Sequence, residues 1–297
     1  MNAPGRAVPS RLSINQATIK YTSLADALRI TADAGVEAIG LWREPVAEVG
    51  LAEAERMVGG SGLRVSSLCR GGFFTVPEGP DRRAALDENR RAIEETAALA
   101  AAGAPGSAPV LVLVAGGLPA GSTDLVGARA RVADALAELE SDARAAGVTL
   151  AIEPLHPMYA ADRAVVSTLG QALDLAEPFP TASVGVVVDT FHVWWDPQAL
   201  DQIARAGAAG RIASYQVCDF LTPIPADALL ARGMMGDGHV DFASLTAAVD
   251  AAGYAGDVEV EIFNAEIWAA DPVKVVDRTV RAFERSIPVR DAPARSR

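Results

Sequence analysis

The 297-residue chain is sparing with several residue types, and each shortage closes a door. Its two cysteines, Cys69 and Cys218, are too few and too far apart for a disulfide framework or a CxxC zinc site. Both read as reduced core thiols. No stretch reaches the roughly 18 uninterrupted apolar residues of a membrane span, and the opening MNAPGRAVPSR carries charge without an apolar run behind it. The expectation is a cytoplasmic protein, neither exported nor anchored in a membrane. Basic side chains are outnumbered, 26 Lys and Arg against 38 Asp and Glu, and the formal charge of −12 works against nucleic acid or anionic lipid as partners. There is no HExxH, and no GxGxxG follows the first apolar run in INQATIKYTS, which weighs against a structural zinc and a dinucleotide fold. Only three histidines occur.

What the chain has is a regular alternation. Half of its residues are hydrophobic, enough for one sizeable core. Short β-branched runs at 11–15, 37–42, 64–69, 109–115, 148–153, 184–189, 212–217 and 258–263 predict strands. Between them, Ala, Leu, Arg and Glu recur at helical spacing over 23–34, 51–60, 82–102, 125–146, 167–176, 197–206, 242–252 and 272–285. Glycines in DAGVEAIGLW, AAGVTLAIE and AAGYAGDVEVEI stand where left-handed caps end a helix before the next strand. Eight successive β-then-α units favour a single-domain (β/α)8 TIM barrel over residues 11–287, with a doubly wound sheet as the alternative. Residues 1–10 and 288–297, rich in Pro, Ala, Arg and Ser, read as flexible tails, and 79–82 and 104–109 as loops.

In such a barrel the chemistry lies at the C-terminal ends of the strands. VTLAIE ends on Glu153, VGVVVD ends on Asp189, IASYQVCD places Gln216 at matching depth with Asp219 beyond, and VEVEIF places Glu261 just before its end. Three carboxylates and an amide converging on one rim would repel unless a cation neutralised them. Their hard oxygens suit Mn²⁺, with Mg²⁺ or Co²⁺ as alternatives. The competing reading is helix caps or solvated loop carboxylates, which strand ends often carry. His156 and His192 each follow a candidate ligand by three residues and suit a base, a second ligand or a hydroxyl binder; His239 equally suits a surface position. Arg70, on the loop after the third strand, and Arg232, in ALLARGMMGDG, carry forks suited to substrate oxygens. Trp42, Phe73, Phe74, Trp194, Trp195 and Trp268 gather near strand ends, where rings stack on sugars or pack the core.

With IEPLHP, VVVDTFHVWWD, RGMMGDGHVDF and VEVEIFN, the sequence resembles the sugar phosphate isomerase/epimerase superfamily, the xylose isomerase-like barrels, over nearly the whole chain. That resemblance implies a metal held by Glu153, Asp189, Gln216 and Glu261, and substrate contact by His192. Gln216 stands where epimerases of the superfamily usually carry His, and Tyr159, a further candidate for substrate contact, where they usually carry a second acid. A narrower resemblance, through LSINQATIKYTSLADALRITADAGVEAIGLWREPVAEVGL and LCRGGFFT, is to the larger subunits of bacterial C-glycoside deglycosidases. It implies 3-keto C-glycosides as substrates, a small β-subunit as partner and His156 as base. Either way the elementary step is removal of a C–H proton next to a ketone, giving an enediolate. Glu153 and Glu261 would shuttle the proton in an isomerase or epimerase, whereas His156 would remove it in a lyase that expels the aglycone. The partners expected are a small sugar or keto glycoside and further copies in an oligomer. A non-catalytic sugar-binding barrel and an endonuclease IV-like metal nuclease are the remaining alternatives, the second disfavoured by three histidines and the acidic charge.

Overall fold

Ten strands form in the computed structural model, which describes residues 8–288. Eight are parallel and largely buried: β1 (Leu12–Asn15), β2 (Ala38–Trp42), β3 (Arg64–Gly72), β4 (Val110–Val114), β5 (Thr149–Glu153), β6 (Val184–Asp189), β7 (Ile212–Val217) and β10 (Val258–Val260). They close in the order β1-β10-β7-β6-β5-β4-β3-β2, so the (β/α)8 expectation holds and no sheet edge is left within the barrel. The other two, β8 (Asp219–Phe220) and β9 (Arg232–Gly233), make a small antiparallel ribbon after β7.

Around the barrel lie α1 (Leu24–Asp33), α3 (Leu51–Ser61), α4 (Pro80–Ala102), α5 (Leu125–Ala146), α6 (Leu169–Ala176), α8 (Ala199–Ala208), α9 (Phe242–Ala251) and α11 (Pro272–Ser286). Their starts are chemically marked. Ser23, Asp124, Thr168, Asp241 and Asp271 each accept a backbone N–H from the first turn, and Pro80, expected in a loop, opens α4, where its missing donor costs nothing. Gly35, Gly147 and Gly253 end their helices with φ of 78°, 68° and 82°, the left-handed conformation read from the sequence. Three short helices were not anticipated, α2 (Arg43–Val49), α7 (Thr190–Val193) and α10 (Ala265–Ala269), each too brief to show periodicity. None of the helices among the described residues is long and apolar enough to cross a membrane.

The N-terminal face of the barrel is closed by ion pairs: Arg11 with Asp250 at 2.9 Å, and Arg64 with Asp257 at 2.8 Å. Of the expected tails, residues 1–7 and 289–297 lie outside the described residues. Residues 8–10 contact the barrel. Val8 packs on the core, the Pro9 carbonyl accepts from Leu12 N–H at 3.0 Å, and the Ser10 carbonyl accepts from Arg64 at 3.0 Å. These contacts tie the segment to the barrel floor.

Candidate functional site

Four strand ends supply the polar residues of the opposite, C-terminal mouth. Glu153 closes β5, Asp189 closes β6, and Gln216, next to last on β7, pairs with Asp189 in the β6–β7 register. Glu261 lies one residue beyond β10, not inside a strand reaching Phe263. The Thr18 hydroxyl explains this: it donates to Val260 O at 2.9 Å and accepts from Ile262 N–H at 3.0 Å, capturing backbone groups that a longer ladder would use. All four side chains are buried. Asp189 also accepts from Phe191 N–H at 2.8 Å, so it caps α7 as well as joining the cluster.

One oxygen each of Glu153 and Asp189 and a ring nitrogen of His192 lie within 4.8 Å of one another. Glu261 stands on the other flank, joined through Arg232, whose Nη1 donates to Glu261 Oε2 at 2.8 Å and Asp189 Oδ2 at 3.1 Å. Arg232, expected to hold substrate oxygens, lines the cleft and is at the same time drawn into this cluster. It is 3% exposed on β9, its guanidinium 4.7 Å from the Phe191 ring centroid and 4.9 Å from that of Phe263. A planar cation between two rings and two carboxylates is balanced there in a way a solvated loop would not provide.

The balance is incomplete. Burial and the neighbouring charges of Glu261 and Asp189 push the Glu153 carboxyl well above the usual range. Burial raises Glu261 to about 7 in spite of Arg232, and raises Asp189 against the pull of the same guanidinium. His192 is held neutral by burial and by the adjacent Arg232 charge. Its Nδ1 accepts the His156 backbone N–H at 3.0 Å, which leaves the ring proton on Nε2. That nitrogen faces Asp189 Oδ2 at 3.8 Å and Arg232 Nη2 at 3.1 Å, so two donors meet beside the carboxylates. Gln216 donates from Nε2 to Glu259 at 3.1 Å, while its Oε1 is buried without a hydrogen-bond partner. A buried, unpartnered amide oxygen and three buried carboxylates at neighbouring strand ends are oxygen ligands of the kind that suit a hard divalent cation, with the Arg232 guanidinium as the counter-charge.

Above the cluster opens a cleft of about 550 Å³, with Glu153, Glu261, His192, Arg232, Trp42, Arg70 and Phe73 among its lining. Arg70 belongs to the extended end of β3 and not to a loop, its guanidinium 5.6 Å from the Trp42 ring centroid and 5.0 Å from that of Phe73. Phe73 is 45% exposed and holds a φ of 61°, a conformation costly for a bulky residue and found most often where function over-determines the backbone. Phe74, by contrast, is core.

The buried Asp189 and Gln216 do not line the cleft, and neither do His156, Tyr159 and His239. Leu155 lines it, but the next residue, His156, turns its half-buried ring toward Trp195 and Phe220, with centroids at 5.5 and 5.7 Å, and its Nδ1 accepts Met158 N–H at 3.3 Å. Tyr159 is buried in the wall, edge-on to His192 with centroids 5.9 Å apart, and burial raises its phenol to about 12. His239 bonds Thr222 at 2.9 Å and stacks on Trp194.

Two residues carry more than the sequence reading allotted them. Glu259, buried beneath Gln216, was legible in principle, because in VEVE the two glutamates share one face of a strand. Asp219 accepts four backbone N–H groups, from Phe220, Gly236, Gly238 and Val240 at 2.7–3.0 Å, and so shapes the loop that follows Arg232.

The profile of the xylose isomerase-like TIM barrel family matches residues 28–285. The chain belongs to that family. Among proteins of this type, L-ribulose 3-epimerase of Mesorhizobium japonicum (strain LMG 29417 / CECT 9101 / MAFF 303099) is 32% identical over 133 residues, 45% of this chain and 40% of the epimerase. The match therefore spans about two fifths of that relative. The crystal structure of protein SMc04130 from Sinorhizobium meliloti 1021 is 48% identical with a TM-score of 0.88, covering 93% of this chain and 98% of that one. The IolI protein, solved with a bound zinc atom, shares the fold at 20% identity and a TM-score of 0.77, covering 94% of this chain and 100% of that one.

Proposed function

We propose that this chain is a divalent-metal-dependent isomerase or epimerase that removes a proton from the carbon beside the carbonyl of a keto sugar or keto glycoside and returns it elsewhere. The observation that carries this reading is the pair Glu153 and Glu261. Both carboxyls are buried at the cleft floor with raised pKa, and they come from β5 and from the end of β10, three places apart around the barrel. Two carboxyl groups brought to one cleft from separate strand ends can take a proton from carbon and give one back. Glu153, Asp189, Gln216 and Glu261 would hold the cation, which supplies Lewis-acid stabilisation for the charge developing on the keto oxygen. One carboxylate takes the C–H proton, the electron pair moves to the carbonyl to give an enediolate, and the other carboxyl returns a proton to the opposite face or the neighbouring carbon. His192 and Arg232 donate toward substrate oxygens from the wall. The activity named for the Mesorhizobium japonicum relative and the zinc in IolI are of the same kind.

A second reading, a lyase cleaving 3-keto C-glycosides with the help of a small β-subunit, has one observation in its favour. The cleft lies within the range of roughly 300–1,000 Å³ that encloses drug-sized ligands, larger than one hexose, and its mouth presents Trp42, Arg70 and Phe73 as an aromatic and cationic shelf. With His156 turned away, the proton in that reaction too would go to Glu153 or Glu261.

The deciding experiment incubates the Mn²⁺-loaded chain, alone and with any small subunit encoded beside it, with free ketoses and with 3-keto C-glucosides, and follows products by chromatography. Conversion of a ketose or keto glycoside to its isomer is expected. Release of aglycone would replace this with the lyase reading, and no turnover of either class would overturn both. In the same assay His156→Ala is expected to stay within about threefold of wild type. A loss of 10²-fold or more, on the scale of a missing general base, would return His156 to the chemistry.

Metal loading is also expected to depend on pH. Carboxyls raised by burial keep protons that a cation must displace, so apparent Mn²⁺ affinity should fall as pH drops through about 7, the value for Glu261. Calorimetry in buffers of different ionisation enthalpy counts the protons released; a count of zero at pH 6 would contradict the raised carboxyls.

A further inference from the structure

Beneath the candidate ligands the barrel interior holds a carboxylate that this reaction does not use. Glu259 of β10 is 1% exposed and pairs with Gln216 of β7 in the strand register. Its oxygens accept from Asn15 Nδ2 at 2.6 Å, Ser66 Oγ at 2.6 Å, Ser67 Oγ at 2.8 Å and Gln216 Nε2 at 3.1 Å. Gly40 makes room for it, since a Cβ there would lie 2.5 Å from the carboxylate.

The consequence concerns Gln216. A primary amide has a donor end and an acceptor end of nearly equal shape, and either can point up unless its surroundings choose. An ionised carboxylate only accepts, so the end facing Glu259 must be the NH₂. The carbonyl oxygen is thereby turned away from Glu259, and it is the Gln216 atom left buried and unpartnered. The network beyond is equally directed. Asn15 Oδ1 accepts from Ala17 N–H at 2.8 Å and from the Trp42 indole at 2.7 Å, which turns its own NH₂ toward Glu259. One carboxylate therefore orients a ligand at the cleft floor and is tied to an aromatic ring of the cleft wall.

We propose that Glu259 is a positioning residue that holds Gln216 with its carbonyl oxygen presented to a hard divalent cation, completing an all-oxygen set with Glu153, Asp189 and Glu261. This rests on the metal-binding reading above. It gives a physical account of how an amide can serve as a ligand there, since an amide needs a neighbour to choose its acceptor end.

The test is Mn²⁺ titration of the full chain, following the free-ion signal by electron paramagnetic resonance. Glu259→Gln is nearly isosteric, but its amide can donate to Gln216 Oε1 and so let Gln216 flip. Mn²⁺ binding is expected to weaken by about 10- to 100-fold, the usual cost of losing a partner behind a ligand. In a Gln216→Ala background the same change is expected to shift affinity by less than about twofold, because the two act as one unit. Gly40→Ala, which pushes the carboxylate aside without removing its charge, should weaken binding in the same direction and serves if Glu259→Gln does not fold. Wild-type affinity in Glu259→Gln would overturn the proposal. So would a loss that persists undiminished in the Gln216→Ala background, which would mark a through-space charge effect. A wild-type chain that binds no Mn²⁺ would instead overturn the metal reading on which this one stands.

Discussion

Alanine at Glu153 or at Asp189 is expected to abolish divalent-metal binding and to lower turnover by about 10³-fold or more, within the range associated with losing positioned acid–base groups. Metal analysis of the purified variants beside the activity assay checks it, and full metal stoichiometry in both would sink the assignment. The two positions should differ in stability. Glu153 faces two neighbouring carboxylates, and burial with their charges has already raised its carboxyl. The neutral Glu153→Gln variant should therefore melt at or above the metal-free wild type. Asp189 also caps α7 through Phe191 N–H and pairs with Arg232, so Asp189→Ala should melt lower, with the cap alone worth about 1 kcal/mol.

Arg232→Met is expected to destabilise the metal-free protein by about 3–5 kcal/mol, the usual cost of taking one partner from a buried ion pair. For a chain of this size that is on the order of 10 °C in Tm. The guanidinium is the cation that Asp189 and Glu261 share, and its loss leaves those carboxylates unbalanced in a buried site. The pH dependence has a definite sign. Glu261 lies at about 7 with Arg232 present, and without it is pushed further up. A carboxyl raised in the folded state favours folding less as pH rises from its unfolded value through its folded one. The deficit should thus be largest above pH 7 and shrink toward pH 5. Mn²⁺ should restore part of it, since a ligand bound only by the folded state stabilises that state. Thermal melts at pH 5 and 8, with and without Mn²⁺, read all of this; a metal-free variant melting with the wild type at pH 8 would mean that the guanidinium does not balance the cluster.

Much of the framework was legible because its causes are local. A β-branched run in VGVVVD, a helical period in LVGARARVADALAELESDARAA and a glycine after the helix are read by the same few residues that adopt the structure. Where that reading missed, a distant contact had decided the matter. The pair Gly71–Gly72 looks like a break after the third strand, yet β3 continues through it. Gly72, at φ 113°, passes so close to β4 that a Cβ would lie 1.8 Å from Val114 O, an approach only glycine allows. The last residues of the eighth strand read as a ladder until Thr18, more than 240 positions away, captures them.

The site divides along the same line. Carboxylates and an amide at the ends of strands five to eight are properties of the sequence alone, because strand ends and barrel order follow from local periodicity and chain connectivity. That Arg232 would be drawn from its loop into their midst, that His156 would turn outward while Leu155 faces the cleft, and that Glu259 would stand beneath Gln216 were decided by closure of the barrel. Closure is what brings charges far apart in sequence within a few ångströms, out of water, where each must find a partner.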